Sequence, residues 1–169
     1  LTDCPNLKFL IPYSSAANYA QINALLREMS LFRGERFILA DDSHGAISAA
    51  DLVVLSSGTA TLETLLLRRP MIVGYKLAAI TFAIASRLVK IPYVALPNLL
   101  AGRQLVPEYI QHDLTAAKVR DGIVSHISGA EDHAGLMQEF EKIHRSLRLD
   151  ASAQAAAAVA GLIEDSVAQ

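Results

Sequence analysis

The residues best placed to do chemistry lie in Ser56-Ser57-Gly58-Thr59, with Glu63 four positions further on. A small, polar turn that opens a helix makes a site for an anion, because the first N–H groups have no helical partner and the dipole is positive there. Glu63 sits one helical turn beyond Thr59, so both face the same side. A phosphate at the turn and a polyol beside the carboxylate suit a nucleotide sugar. The same residues also have a purely structural reading. Ser57-Gly58-Thr59 then caps the helix, and Glu63 is a first-turn carboxylate favoured by the dipole.

The elements that must position this turn are legible around it. Leu52-Val53-Val54-Leu55 is an apolar run ending at the turn, the helix after it carries Leu62, Leu65 and Leu66 on one face, and Pro70 opens a second run, Met71-Ile72-Val73. Strand, glycine turn, helix and strand of this length form a right-handed βαβ crossover. Upstream, Leu7 to Ile11 predicts a buried strand ended by Pro12. Ser14 or Ser15 caps a helix to about Met29 with Ile22, Leu25 and Leu26 inward, and Arg36 to Ala40 is the next strand. Asp41-Asp42-Ser43 starts a short helix through Ala50. Asp41, Asp42 and Asp51 read as caps in preference to catalytic acids, and His44, a position that could touch a base, reads as solvent-exposed. No strand alternates with period two. The expected class is α/β: a Rossmann-like parallel sheet with helices on both faces and a helical C-terminal segment.

Downstream, Ala78 to Lys90 predicts a helix with Ile80, Ile84 and Leu88 on one face and Arg87 and Lys90 near its end. These cations suit the helix dipole or a phosphate or membrane surface. Pro92 to Leu96 reads as extended, Pro97 to Gln104 as a loop, and Pro107 as the first turn of a helix through Gln111. Thr115 caps a helix toward Ile127. Ser128-Gly129-Ala130-Glu131 has capping-box spacing before a helix to about Leu147. Asp150 caps an alanine-rich helix ending near Val167, whose thin face of Ala153, Ala157, Ala160 and Ile163 suits packing against a partner domain. The expected division is a binding domain over residues 1–149 and a terminal helix over 150–169.

Composition narrows the classes. The 169 residues are 52% hydrophobic and 19% charged, enough for one core. Fifteen basic against seventeen acidic residues give a net charge of -2, which argues against a general nucleic-acid binder. The lone Cys4 rules out an internal disulfide, and His44, His112, His126, His133 and His144 lack metal-ligand spacing, so they read as surface residues and no metal is expected. Leu77 to Ala85, the longest apolar stretch, falls short of the ~20 residues that span a bilayer. No signal-peptide pattern is visible. A chain opening on Leu1, with a strand soon after Asn6, reads as a piece of something longer.

The runs SSGTATLE and PMIVGYK, followed by LVKIPYVALPNLLAGRQLVPEYIQ, resemble the C-terminal half of bacterial lipid-A-disaccharide synthases, and the likeness runs from Pro5-Asn6-Leu7 to the tail. That family is a GT-B glycosyltransferase family, with two Rossmann-like halves facing across a cleft. The resemblance implies transfer of 2,3-diacylglucosamine from UDP-2,3-diacylglucosamine to 2,3-diacylglucosamine 1-phosphate, with inversion and release of UDP. It implies that Ser57, Gly58 and Thr59 hold the diphosphate and Glu63 the ribose. Asn98 and Arg103 would lie near the sugar or phosphates, with Gln104 beside them. No cofactor is implied. The general base belongs to the N-terminal half, so the catalytic residue is unknown here.

The implied partners are the donor, the lipid acceptor, that N-terminal half and the inner-membrane surface. The enzyme would sit peripherally on its cytoplasmic face, with a homodimer among the assemblies allowed. The family's LPGSR strand-turn is absent, so the sheet is expected to lack its first strand and to leave an exposed edge. Bland readings stand beside these: Asn98 and Gly102 as turn residues, Arg103 paired with Glu108 at the surface. Two rival functions also stand. One is half of another UDP-GlcNAc transferase or epimerase, against which the LPNLLAGR run discriminates. The other is a non-catalytic nucleotide-binding or assembly module.

Overall fold

The computed structural model describes residues 4, 6–29, 36–78, 92–129, 132–148 and 150–167. Strands and helices alternate through the first half: β1 (Phe9–Pro12), α1 (Ala16–Glu28), β2 (Phe37–Ala40), α2 (Ser43–Ala49), β3 (Val53–Ser56), α3 (Thr59–Leu66) and β4 (Met71–Tyr75). The second half holds α4 (Leu96–Ala101), β5 (Glu108–Ile110), a 3-10 turn (Gln111–Asp113), α5 (Ala116–Ile127), α6 (His133–Leu147) and α7 (Ala151–Val167). Local chemistry sets most helix starts. The side chains of Ser15, Asp42, Thr115 and Asp132 each accept a bond from the amide three residues on.

Among the described residues all pairings are parallel, in two sheets: β1 with β2, and β3-β4-β5 in that order. Val53 is level with Met71 and Val73 with Glu108. The main core fills one face of the three-stranded sheet, where Leu65, Met71, Val73, Ala95, Val106, Phe140 and Ile143 cluster under α3, α4 and α6. The other face belongs to α5. A Cβ on Gly122 would come within 2.8 Å of Ile72 Cδ1, so this helix lies close against β4. This is the α/β arrangement expected, with helices on both faces.

Several expectations are corrected. Residues 96–101 form a helix, not an extended stretch and loop, because Pro97 suits a first turn and Gly102, at φ 65°, closes it in the left-handed conformation. Residues 108–110 form a strand, not a helix. Val73 N–H donates to Pro107 O at 2.9 Å, and pairing with β4 overrides the helical start that Pro107 allows. Asp132 caps α6, whereas Ser128 ends α5. Leu25 is 57% exposed and does not turn inward with Leu26. His126 is buried and stacks on His133 with ring centroids 4.2 Å apart, so it is not a surface residue. Separately from these corrections, β1 and β3 line one cavity between the two sheets. The helix expected over residues 78–90 lies, apart from Ala78, outside the described residues.

The terminal helix stands apart. Residues 152–160 and Ile163 of α7 are exposed along its length, including the thin alanine face. Stability therefore rests on the core around Phe140. Phe140→Ala is expected to cost about 3–5 kcal/mol and Leu25→Ala less than about 0.5 kcal/mol. Urea unfolding of both variants reads the difference; equal losses would place the core elsewhere.

Candidate functional site

The turn after β3 is built around Gly58. Its backbone, at φ 157° and ψ -166°, lies in a region essentially restricted to glycine. A Cβ there would meet nothing within 4 Å, so conformation and not crowding demands the residue, and the space before the turn is open. Thr61, wholly buried, fixes the turn from behind: its N–H and its hydroxyl both donate to Gly58 O, at 3.1 and 2.6 Å. No side chain caps α3, which leaves the amides at its mouth facing outward with the positive end of the dipole.

Ser57 faces the other way. Its hydroxyl donates to Val94 O at 2.6 Å, tying the turn to the segment that enters α4. Thr59 is exposed at the first position of α3. Glu63, half-buried one turn deeper, lines the cavity between β1 and β3 together with Ala60. Ser57, Gly58, Thr59 and Glu63 thus share one turn and helix at the carboxyl end of β3. Open parallel sheets bind ligands at such strand ends.

Asn98 is placed differently from its neighbours in the LPNLLAGR run. It is wholly buried, and its carboxamide is fully committed. Nδ2 donates to Val106 O at 3.0 Å and to Glu108 Oε1 at 2.7 Å, while Oδ1 accepts from the amides of Leu105 at 2.7 Å and Val106 at 2.9 Å. Glu108 completes the set by accepting the amides of Val94 and Ala95, at 3.0 and 2.9 Å. A carboxylate from β5 therefore caps α4, whose own N-cap residue, Ala95, offers no side-chain bond. Glu108 is the residue that sequence reasoning missed, having been weighed only as a surface partner of Arg103.

Arg103 and Gln104 lie past the C-terminal end of α4, about 9 Å of helix away from its capped start. Arg103 pairs with Glu139 of α6 at 3.3 Å instead of with Glu108. A hydrogen bond from Lys142, followed by the charges of Lys142 and Arg103, holds the Glu139 carboxyl below the usual range. Arg103 and Gln104 line a separate cavity of about 520 Å³ with Asp132, His133 and Glu139, so the structure does not gather them around Glu63. A second clip lies nearby: Gln111, at φ 52°, accepts Leu77 N–H at 2.6 Å and donates to Leu77 O at 3.2 Å. Among the described residues, no cluster of histidine, cysteine or carboxylates could hold a metal ion, and no helix is long and apolar enough to cross a membrane.

Residues 1–160 match the family model described as lipid-A-disaccharide synthetase. The chain belongs to that family. Among curated relatives named lipid-A-disaccharide synthase, the protein of Pseudomonas syringae pv. syringae is 48% identical over 164 residues, or 96% of this chain. That of Pseudomonas aeruginosa is 46% identical over 97% of the chain, and that of Pseudomonas putida 45% over 95%. The chain spans about two fifths of those relatives, 41% to 42% of their length. Family membership thus covers the Gly58 turn, the Asn98–Glu108 network and everything between them.

The network makes a prediction. Asn98→Ala strips four bonds from buried partners and is expected to cost about 2–4 kcal/mol. Asn98→Asp puts an acceptor where Nδ2 now donates, so Val106 O loses its donor and the Glu108 carboxylate meets a second carboxyl, and it is expected to cost at least as much. Thermal melts of both variants test this; an Asn98→Asp penalty well below that of Asn98→Ala would remove Glu108 as the facing group.

Proposed function

We propose that this region is the donor-binding half of a glycosyltransferase. The full protein moves 2,3-diacylglucosamine from UDP-2,3-diacylglucosamine to the 6-hydroxyl of 2,3-diacylglucosamine 1-phosphate, forming lipid A disaccharide and UDP. The observation that carries the reading is an uncapped helix mouth, opened by Gly58 with a carboxylate one turn behind it, in a chain of this family. The amides of Gly58 and Thr59 and the Thr59 hydroxyl receive the diphosphate; Glu63 accepts hydrogen bonds from the ribose hydroxyls.

The new bond forms between the acceptor oxygen and the anomeric carbon while the bond to the diphosphate breaks. The electron pair leaves with UDP, and the acceptor's proton goes to a base supplied by the N-terminal half. Amides aimed at the departing diphosphate stabilise the charge that builds there, which is the contribution this half makes to rate. Ser57 and Asn98 serve this site by positioning: one fastens the turn to Val94, the other fastens the α4 entrance to β5. Arg103, exposed beyond α4, reaches the donor's phosphates only by releasing Glu139, and Gln104 follows it in the chain, also exposed. The acyl chains place the working enzyme on the cytoplasmic face of the inner membrane as a peripheral protein, and no bound cofactor or metal takes part.

The isolated 169-residue chain is expected to bind UDP weakly and to transfer no sugar. Calorimetric titration should show Glu63→Ala losing roughly tenfold or more in UDP affinity, the worth of a hydrogen bond to a charged group. Unchanged affinity would favour a non-catalytic module. Turnover by this chain alone would refute the assignment of the base to the other half.

A further inference from the structure

β3 and β4 do not end together. β3 stops at Ser56, whose partner on β4 is Gly74, and the chain then leaves the sheet through Ser57 and Gly58. β4 runs on, with Tyr75 still paired to Ile110 of β5. Beyond Ile110 the side chain of Gln111 takes over and makes both bonds to Leu77. Lys76 lies in the stretch that β3 no longer covers and that Gln111 still holds.

We propose that Lys76 is a further donor-binding residue, whose ammonium group takes an oxygen of the nucleoside diphosphate held by the amides of Gly58 and Thr59. This assignment rests on the reading of the Gly58 turn as the diphosphate site, and adds to it a cation that the turn itself lacks.

Backbone direction makes the case first. In a parallel ladder the N–H and C=O of one residue point to the same neighbouring strand, and successive residues alternate sides. Val73 N–H donates to Pro107 O, and the N–H and C=O of Leu77 both go to Gln111, so the odd residues of β4 serve the β5 side. Val53 N–H donates to Pro70 O, so the even residues serve β3. Lys76 therefore turns its N–H toward the place that Ser57 and Gly58 vacate on leaving the sheet. Among the described residues that N–H has no acceptor and the ammonium group no carboxylate. The pairing is held under strain, because Gln111 keeps a backbone φ of 52°, which residues other than glycine seldom adopt.

Reach and charge agree. Lys76 is exposed, and its flexible four-carbon stem is longer than the about 4.8 Å between neighbouring strands. Ser57, Gly58 and Thr59 are uncharged, and Glu63 behind them is a carboxylate that opposes a second anion. Arg103 is held by Glu139 and Arg68 by Glu141, whereas Lys76 has no such partner to release. Charge builds on the diphosphate as the sugar departs, so an ammonium group there counts for more in the transition state than in the ground state.

The test uses the full-length protein that contains this region, and calorimetric titration compares UDP with uridine. Lys76→Ala is expected to lower UDP affinity about tenfold or more and to leave uridine affinity unchanged. Its urea midpoint should stay at the parent value, because the side chain is exposed. Lys76→Arg keeps the charge and should restore most of the UDP affinity. Lys8→Ala, the same loss of charge just ahead of β1, should change neither affinity.

Full UDP affinity in Lys76→Ala, with Glu63→Ala weakened, would overturn the role of Lys76 and leave the reading of the Gly58 turn intact. Equal losses for UDP and uridine, or the same loss from Lys8→Ala, would overturn it as well, since contact with a phosphate produces neither. A parent protein that binds UDP no better than uridine would remove the diphosphate site, and Lys76 with it.

Discussion

The carboxylate of Glu108 is the point on which the site depends. It holds two backbone amides at the entrance to α4 and the side chain of Asn98, which in turn holds the chain on its way back into β5. Removing a partner from a buried network of this kind leaves donors with no water to turn to, so its members stand or fall together. Val94 carries the order one step further, because its carbonyl is what Ser57 grips. The geometry of the Gly58 turn is therefore set partly by a residue fifty positions later in the chain.

That dependence explains what could and could not be read from the sequence. Ser15, Asp42 and Thr115 act on amides three residues away, and such local chemistry is visible in a string of letters. The βαβ unit around the turn is likewise set by local apolar runs. Residues 108–110 become a strand because β4 offers an unpaired edge, a fact located more than thirty residues upstream. Asn98 looked like a surface loop residue because nothing near it in sequence hints at Glu108. His126 looked exposed because the ring stacked on it, His133, comes from another element. Family likeness supplied what spacing could not, the proposal that ties the LPNLLAGR run to a sugar donor.

The site residues named from sequence divide into three by physical role. Gly58, Thr59 and Glu63 form an open mouth and its floor. Ser57 and Asn98 are internal fasteners. Arg103 and Gln104 sit on the opposite side of α4, with the arginine held by Glu139. A short helix capped at one end and closed by Gly102 at the other thus separates two surfaces that a linear motif had merged.

The clip between Gln111 and Leu77 has a mechanical meaning. One side-chain amide copies the pair of bonds that a neighbouring strand would make, and it does so where β4 gives out. Tension arriving from the chain beyond Leu77 loads those two bonds together, as a pair in shear, before any reaches the β4 ladder. The end of β4 is thereby insulated by a single glutamine side chain.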